Sequence, residues 1–248
     1  AVPAHSLDQA AIARRLESHF DHETIERLQP VYANAGIDQR QFCMPAEWYL
    51  APHGWPERSR LFVEHAVGLL EQAATRCLTR AGIGAEAVDT LVTVSTTGIA
   101  TPSLDAHLMG RMPFRAGVRR LPVFGLGCAG GVLGLARAAD LARADPGARV
   151  LLLVVELCGL AFRAQDRSKS NLVASALFGD GAAAVLLGTA GEGPAVLAAG
   201  EHTWPQTLDI MGWQVEDDGL GVIFSRDIPT LVRTRLRAVA DEFLARAG

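Results

Sequence analysis

Two runs along the chain are apolar or β-branched at nearly every position, Thr90–Ser95 and Arg149–Glu156. Runs of that kind fit strands covered on both faces. Around them the period changes to that of a helix. Arg58–Gly82 puts Phe62, Ala66, Leu69, Leu70, Ala73 and Cys77 on one stripe, and Gly82 and Gly84 stop it. Pro122–Leu126 predicts a short buried strand, followed by a turn and a helix from near Ala129 to near Asp145-Pro146-Gly147. Ser103 or Asp105 can cap a short helix through Met112. Asn171–Leu177 predicts a short helix, and Phe178-Gly179-Asp180-Gly181 turns the chain into a fourth strand, Ala182–Leu187. Leu197–Thr203 and Gly221–Ser225 predict further strands, the second antiparallel. Pro229–Ala247 predicts an amphipathic helix with Leu231, Leu236, Val239, Phe243 and Leu244 on its stripe. Before all this, Leu7–His19 and Ile25–Leu28 have helical spacing. Val31–Pro56 has no period and carries Pro45, Pro52, Gly54 and Pro56, as a long surface connection would. The alternation of strand and helix predicts βαβ units around a mainly parallel sheet, an α/β fold.

The stretch with chemistry in it is Leu121–Asp140, LPVFGLGCAGGVLGLARAAD. Cys128 sits at its strand-to-helix corner. Gly127 before it and Gly130 and Gly131 after it permit a sharp bend and close approach of neighbouring segments. A sulfur at the first turn of a helix faces unpaired N–H groups and the positive end of the helix dipole, which stabilise an anion. Strand–nucleophile–helix corners of this shape serve hydrolases, with oxygen where this chain has sulfur. Taken locally, two readings stand: a nucleophile, or a small buried apolar cysteine at a Gly/Ala-rich junction.

Composition narrows the partners. The net charge of −4 and scattered arginines give no basic stripe, and aromatics make up 6% of the chain, so no nucleic-acid surface is expected. The four cysteines, Cys43, Cys77, Cys128 and Cys158, form no CxxC pair and have no histidine at metal spacing. No metal and no disulfide is expected, which fits a reducing cytoplasm. Residues 1–9 do not read as a signal peptide. The longest aliphatic run, Val150–Val155, is far too short for a membrane span.

Three separated stretches, Val123–Leu133 around Cys128, Ala148–Glu156 and Ala176–Ala184, together resemble the type III polyketide synthases, the chalcone/stilbene synthase-like branch of the thiolase superfamily. The likeness runs from about Val31 to the C-terminal end. It implies a thiolase-like fold, with residues 1–190 forming an N-terminal three-layer half of an αβαβα architecture and residues 191–248 beginning a second half. It also implies a homodimer and an acyltransferase that needs no cofactor, with coenzyme A thioesters as its small-molecule substrates. Cys128 matches the nucleophile that takes a starter acyl group and is extended with malonyl units by decarboxylative condensation. Thr96 and Thr97 match residues lining the cyclisation pocket. Thr101 matches the residue that reaches into the partner's cavity. Cys158, Leu160 and Ala161 match pocket-wall positions, and Phe178 the first of two gatekeeper phenylalanines. The second falls at Val222. Arg27 is the best match for a basic residue on the coenzyme A phosphates.

Departures sharpen the expectation. The family's histidine and asparagine motifs are not found in these 248 residues, which marks the chain as an N-terminal part. His65 and His107 fall inside helices and read as structural. Val222 and Ala161 are smaller than the ring and hydroxylic residues of the plant pocket, which favours a bacterial alkylresorcinol/alkylpyrone-type enzyme with fatty acyl starters. Two alternatives stay open: a ketoacyl synthase III-like enzyme working on an acyl carrier protein, and a non-catalytic acyl-binding or dimerisation module. Asp180 reads as an aspartate bonding loop amides rather than a catalytic acid. Glu156 ends a buried strand and must find donors, as support for the site floor.

Overall fold

The computed structural model describes residues 1–17, 26, 30–191 and 193–248. A four-stranded sheet organises it. Its strands are β3 (Thr90–Val94), β4 (Arg119–Val123), β5 (Val150–Leu157) and β6 (Asp180–Leu187), in the order β4-β3-β5-β6. β3 pairs in parallel with both β4 and β5, while β6 runs antiparallel to β5 along its whole length. The chain leaves β3 to one side through α4 (Leu104–Met109), then crosses back to the other side through α5 (Gly130–Ala144). That reversal makes the carboxyl end of β3 a switch point, where loops from neighbouring strands diverge and leave a crevice.

Each face of the sheet is covered. On one lies α3 (Trp55–Ala81), whose Phe62, Leu70 and Leu78 pack with Leu91, Leu151 and Leu153 in one core cluster. Pro56 in the first turn of α3 and a left-handed Gly82 at its end fix the length of this helix. On the other face, Ala138 and Ala142 of α5 lie over Val92, Val94, Val150 and Leu152. Small residues on α5 let it approach closely. A Cβ on Gly134 would come within 2.8 Å of Val94 and 3.0 Å of Leu152, and one on Gly130 within 2.9 Å of Val94. A Cβ on Gly131 would meet only ordinary contacts, so of the glycines just after Cys128 it is Gly130 that close packing requires.

The N-terminal segment forms a ribbon, β1 (His5–Asp8) antiparallel to β2 (Gln39–Phe42), with α1 (Gln9–Glu17) between them in the chain. Ile12 and Leu16 of α1 join Phe42, Tyr49, Leu172 and Ala176 in a second apolar cluster. The expected surface connection at Val31–Pro56 is therefore corrected. It contains β2 and the short α2 (Ala46–Tyr49), and buries Arg40, Cys43 and Tyr49. Elements of four residues are too short to show a period. Arg40 hides a charge in the core by bonding Gln9 and the Phe178 carbonyl.

Other expectations shift. The strand before Cys128 is Arg119–Val123, not Pro122–Leu126, and most of it is exposed because β4 is the sheet's edge. Leu197–Thr203 is not a strand, and Leu197 is 89% exposed. The partner of β8 (Leu220–Phe224) is instead β7 (Met211–Val215), an antiparallel hairpin that its mixed polar sequence concealed. The last helical stretch is present as α7 (Ile228–Leu231), a π-helical turn over Val232–Leu236 and α8 (Arg237–Ala247), with Leu236 and Leu244 of the predicted stripe exposed. The helix after Ser103 lacks a side-chain cap and ends at Met109 rather than Met112, while the helix at Asn171–Leu177 appears as α6 (Lys169–Leu177) within an α/β fold.

Candidate active site

The carboxyl ends of β3, β4 and β5 converge on one corner. From β4 the chain passes Gly125 and Gly127, both at positive φ, into a 3₁₀ turn Gly127–Ala129 and straight into α5. Positive φ is open to glycine at little cost and strained for a residue with a Cβ, so the bend is written into these two positions. Cys128 sits in that turn and is exposed. The reading of a buried core cysteine is thereby overturned. No side chain caps the start of α5, and its first amide, that of Gly130, closes the 3₁₀ turn by donating to the Gly127 carbonyl.

Behind the corner stands a hydrogen-bonded network. Glu156, from β5, accepts from the Thr96 amide at 3.0 Å, the Thr97 amide at 3.0 Å and the Thr97 hydroxyl at 2.7 Å. Thr97 Oγ1 in turn accepts from the Leu157 amide at 2.8 Å. Thr96 Oγ1 accepts from the Gly127 amide at 3.2 Å, one residue before Cys128. Three strands are thus tied together at the bend. Burial pushes the Glu156 carboxyl above the usual range, against the pull of these donors and of the Ser95 hydroxyl.

A second carboxylate, Asp180, stiffens the adjacent wall. Its two oxygens accept from the Gly159 amide at 2.7 Å and the Cys43 amide at 2.8 Å, as a structural aspartate would. Burial pushes its carboxyl up to about 6. A Cβ on Gly159 would meet Phe42 at 2.8 Å and Tyr49 and Asp180 at 3.1 Å, so this wall admits nothing larger than glycine.

Beyond that wall lies an apolar cavity of about 620 Å³, counted out to its mouth. Cys158, Ala161, Phe178 and Val222 line it, with Ile12 and Leu16 of α1 closing the far side. Burial and the nearby Glu156 and Asp180 raise the pKa of the Cys158 thiol strongly, leaving it a neutral wall group. A smaller space of about 290 Å³ adjoins, lined by Thr97, Leu160 and, again, Ala161. Ala161 is therefore shared between the two.

Of the residues expected at the site, the structure gathers Cys158, Ala161, Phe178 and Val222 around one cavity, and Thr97 and Leu160 around its neighbour. Thr96 supports the bend and lines neither space. Cys128 is at the corner and not in the lining of the cavity. Thr101 is exposed, ahead of a cis peptide bond to Pro102. Arg27 lies outside the described residues. Sequence reasoning missed Arg58 and Arg163, which hold the wall around the cavity. Arg58 is buried and donates to the carbonyls of His53, Leu160 and Phe162. A lone arginine one turn into an amphipathic helix gives no sign in sequence that it points inward.

Among the described residues no group of side chains could hold a metal ion, and no helix is long and apolar enough to cross a membrane. All four cysteines are free.

Comparison with known proteins places this geometry. Residues 49–191 match the model of the chalcone and stilbene synthase N-terminal domain. A 1,3,6,8-tetrahydroxynaphthalene synthase of Streptomyces peucetius subsp. caesius is 39% identical over 100% of this chain and 68% of its own length. Type III polyketide synthase C of Arabidopsis thaliana is 32% identical over 100% of this chain and 69% of its own. Among solved structures, the 1,3,6,8-tetrahydroxynaphthalene synthase of Streptomyces coelicolor A3(2) superposes with a TM-score of 0.94 at 28% identity, covering 100% of this chain and 72% of that one.

Proposed function

Given that this chain belongs to the chalcone and stilbene synthase family, the type III polyketide synthases, we propose that it is an acyltransferase in which Cys128 receives an acyl group from a coenzyme A thioester. The carrying observation is the exposed sulfur at a glycine-built bend whose backbone is tied to Glu156 through Thr96. In the loading step the Cys128 sulfur attacks the thioester carbonyl. The bond to the coenzyme A sulfur breaks, and coenzyme A leaves as the thiol. The positive end of the α5 dipole lies at the bend and favours negative charge developing there. Thr96, Thr97 and Glu156 hold the corner still, so little reorganisation is required when the thioester arrives.

In the full family reaction, malonyl units lose carbon dioxide and extend the acyl chain. The residues in hand speak to loading, and to the cavity that receives what is loaded. That cavity supports a fatty acyl starter. Ala161 and Val222 leave room where larger groups would fill it, and the closing residues Ile12 and Leu16 are aliphatic. The proposal asks for no cofactor beyond coenzyme A thioesters. It takes residues 1–190 as the nucleophile-bearing half, and sets a second copy of the chain against Thr101.

Intact mass after incubation with palmitoyl-coenzyme A tests it. We expect one palmitoyl adduct on the wild type and none on Cys128→Ala. An adduct that persists in the variant, or a folded wild type that stays unmodified, would overturn the reading.

A further inference from the structure

One border of the cavity is formed by the β7–β8 hairpin that carries Val222. Trp213 stands opposite Val222 in the register of that hairpin, and its ring meets the Phe178 ring edge-on at 6.1 Å. The hairpin therefore presents two side chains toward the cavity border, one lining it and one leaning on the residue that lines it from the other side.

Beside the buried Leu220, which shares a space with Phe62 and Leu160, the turn of this hairpin is fastened by polar groups from elsewhere in the chain. Arg163 Nη1 donates to Asp218 at 2.9 Å, while its Nη2 donates to Asp166 at 2.8 Å. The Arg163 side chain is only 14% exposed. Asn171, almost fully buried, locks this segment by donating to the carbonyls of Arg163 and Asp166 at 2.9 and 2.8 Å. Trp55 Nε1 donates to the Glu216 carbonyl at 2.6 Å. Gly219 lets the turn sit down on both arginines, since a Cβ there would lie 3.3 Å from Arg58 and 3.7 Å from Arg163. Arg58 meanwhile holds the carbonyls of Leu160 and Phe162. One cluster thus joins the wall segment 160–163 to the hairpin tip.

Resting on the acyl-loading reading above, we propose that Arg163 is a positioning residue for starter choice: by pinning the β7–β8 turn through Asp218 it fixes the gap between Val222 and Phe178, and with it the length of acyl chain the cavity accepts. Arg163 touches no substrate in this scheme. A guanidinium fork held on two carboxylates gives a defined direction as well as attraction, which a single lysine contact would not. Opening the turn moves Val222 and Trp213 together, because they are partners across the same two strands.

The test uses the whole chain with Asp218→Ala as the main variant, Arg163→Lys as the conservative one and exposed Asp217→Ala as control. Two readouts are taken: hydrogen exchange of residues 211–224, and the concentration of hexanoyl-, dodecanoyl- and palmitoyl-coenzyme A that half-loads Cys128. Asp218→Ala should exchange about tenfold faster in the hairpin, with β3 and β5 unchanged, as expected for loss of one charge-assisted hydrogen bond. Its half-loading concentrations should shift by roughly fivefold relative to one another across the three chain lengths while the maximal rate stays within about twofold, the pattern of altered binding without altered chemistry. Arg163→Lys should fall between, and Asp217→Ala should match wild type. Unchanged exchange in Asp218→Ala overturns the clamp. So does faster exchange with an unchanged ratio of half-loading concentrations. A wild type that is never acylated overturns the Cys128 reading alone; the clamp is then decided by the concentrations of the same thioesters that half-protect residues 211–224 from exchange.

Discussion

The corner at Cys128 and the hairpin at Val222 border the same region and are held in place by opposite means. At the corner, position follows from packing. Gly130 and Gly134 of α5 are pressed against Val94 and Leu152, and half-buried Glu156 accepts from the Thr96 amide and the Thr97 hydroxyl. At the hairpin, one buried residue, Leu220, is joined by a few partly exposed polar contacts between segments far apart in the chain. Packing resists displacement from all sides, whereas a handful of directed bonds can be altered one at a time. The molecule places its reacting atom with the first device and the border of its cavity with the second.

Five substitutions sharpen or break that contrast. Cys128→Ala should abolish the acyl adduct altogether in the mass measurement described above. Gly134→Leu should cost about 3 kcal/mol of stability by forcing α5 off the sheet, read as a lower urea midpoint. A loss under about 1 kcal/mol would show that the corner is not close-packed. Asp180 gives a pH signature. Its carboxyl is raised by burial from 3.8 to about 6, so the folded chain favours the protonated form. The stability this group contributes is complete below the unfolded value and is lost as pH rises through about 6. The fall should come to about 2 kcal/mol between pH 4 and pH 6.5, and Asp180→Ala should flatten that segment of the curve, measured by denaturation at each pH. Glu156→Gln keeps the shape but turns a donor toward the Thr96 or Thr97 amide. It should slow loading about tenfold at saturating thioester, with rapid-quench mass analysis as the check. Val222→Phe should be the mildest, weakening palmitoyl loading by roughly threefold while sparing hexanoyl.

How far the sequence spoke depended on how the structure is held. Where packing rules, it was legible: the runs at 90–95 and 149–156, the stripe of α3 and the glycines around Cys128 all state a burial pattern, and the structure follows them. The strand before Cys128 slipped by three residues because an edge strand has one neighbour and need not be apolar throughout. Where directed bonds rule, the sequence was silent. Nothing local distinguishes Arg58 or Arg163 from a surface arginine, and the segment of β2 and α2 is too short for a period. Glu156 and Asp180 were readable as buried acids in need of donors, but not which amides would answer them. Family resemblance gathered Ala161, Phe178 and Val222 into one pocket; a search by periodicity would have left them as three unrelated core residues.

Asp180 has a further consequence, for the order in which the protein can be completed. Its side chain joins the amide of Gly159 to that of Cys43, which lies 137 positions earlier in the chain. A polypeptide emerging from the ribosome exposes Cys43 and then Gly159 well before the residue that ties them. During synthesis the sheet around β3 can assemble while the cavity's wall waits, its two amides turned to water, until the fourth strand arrives and closes it.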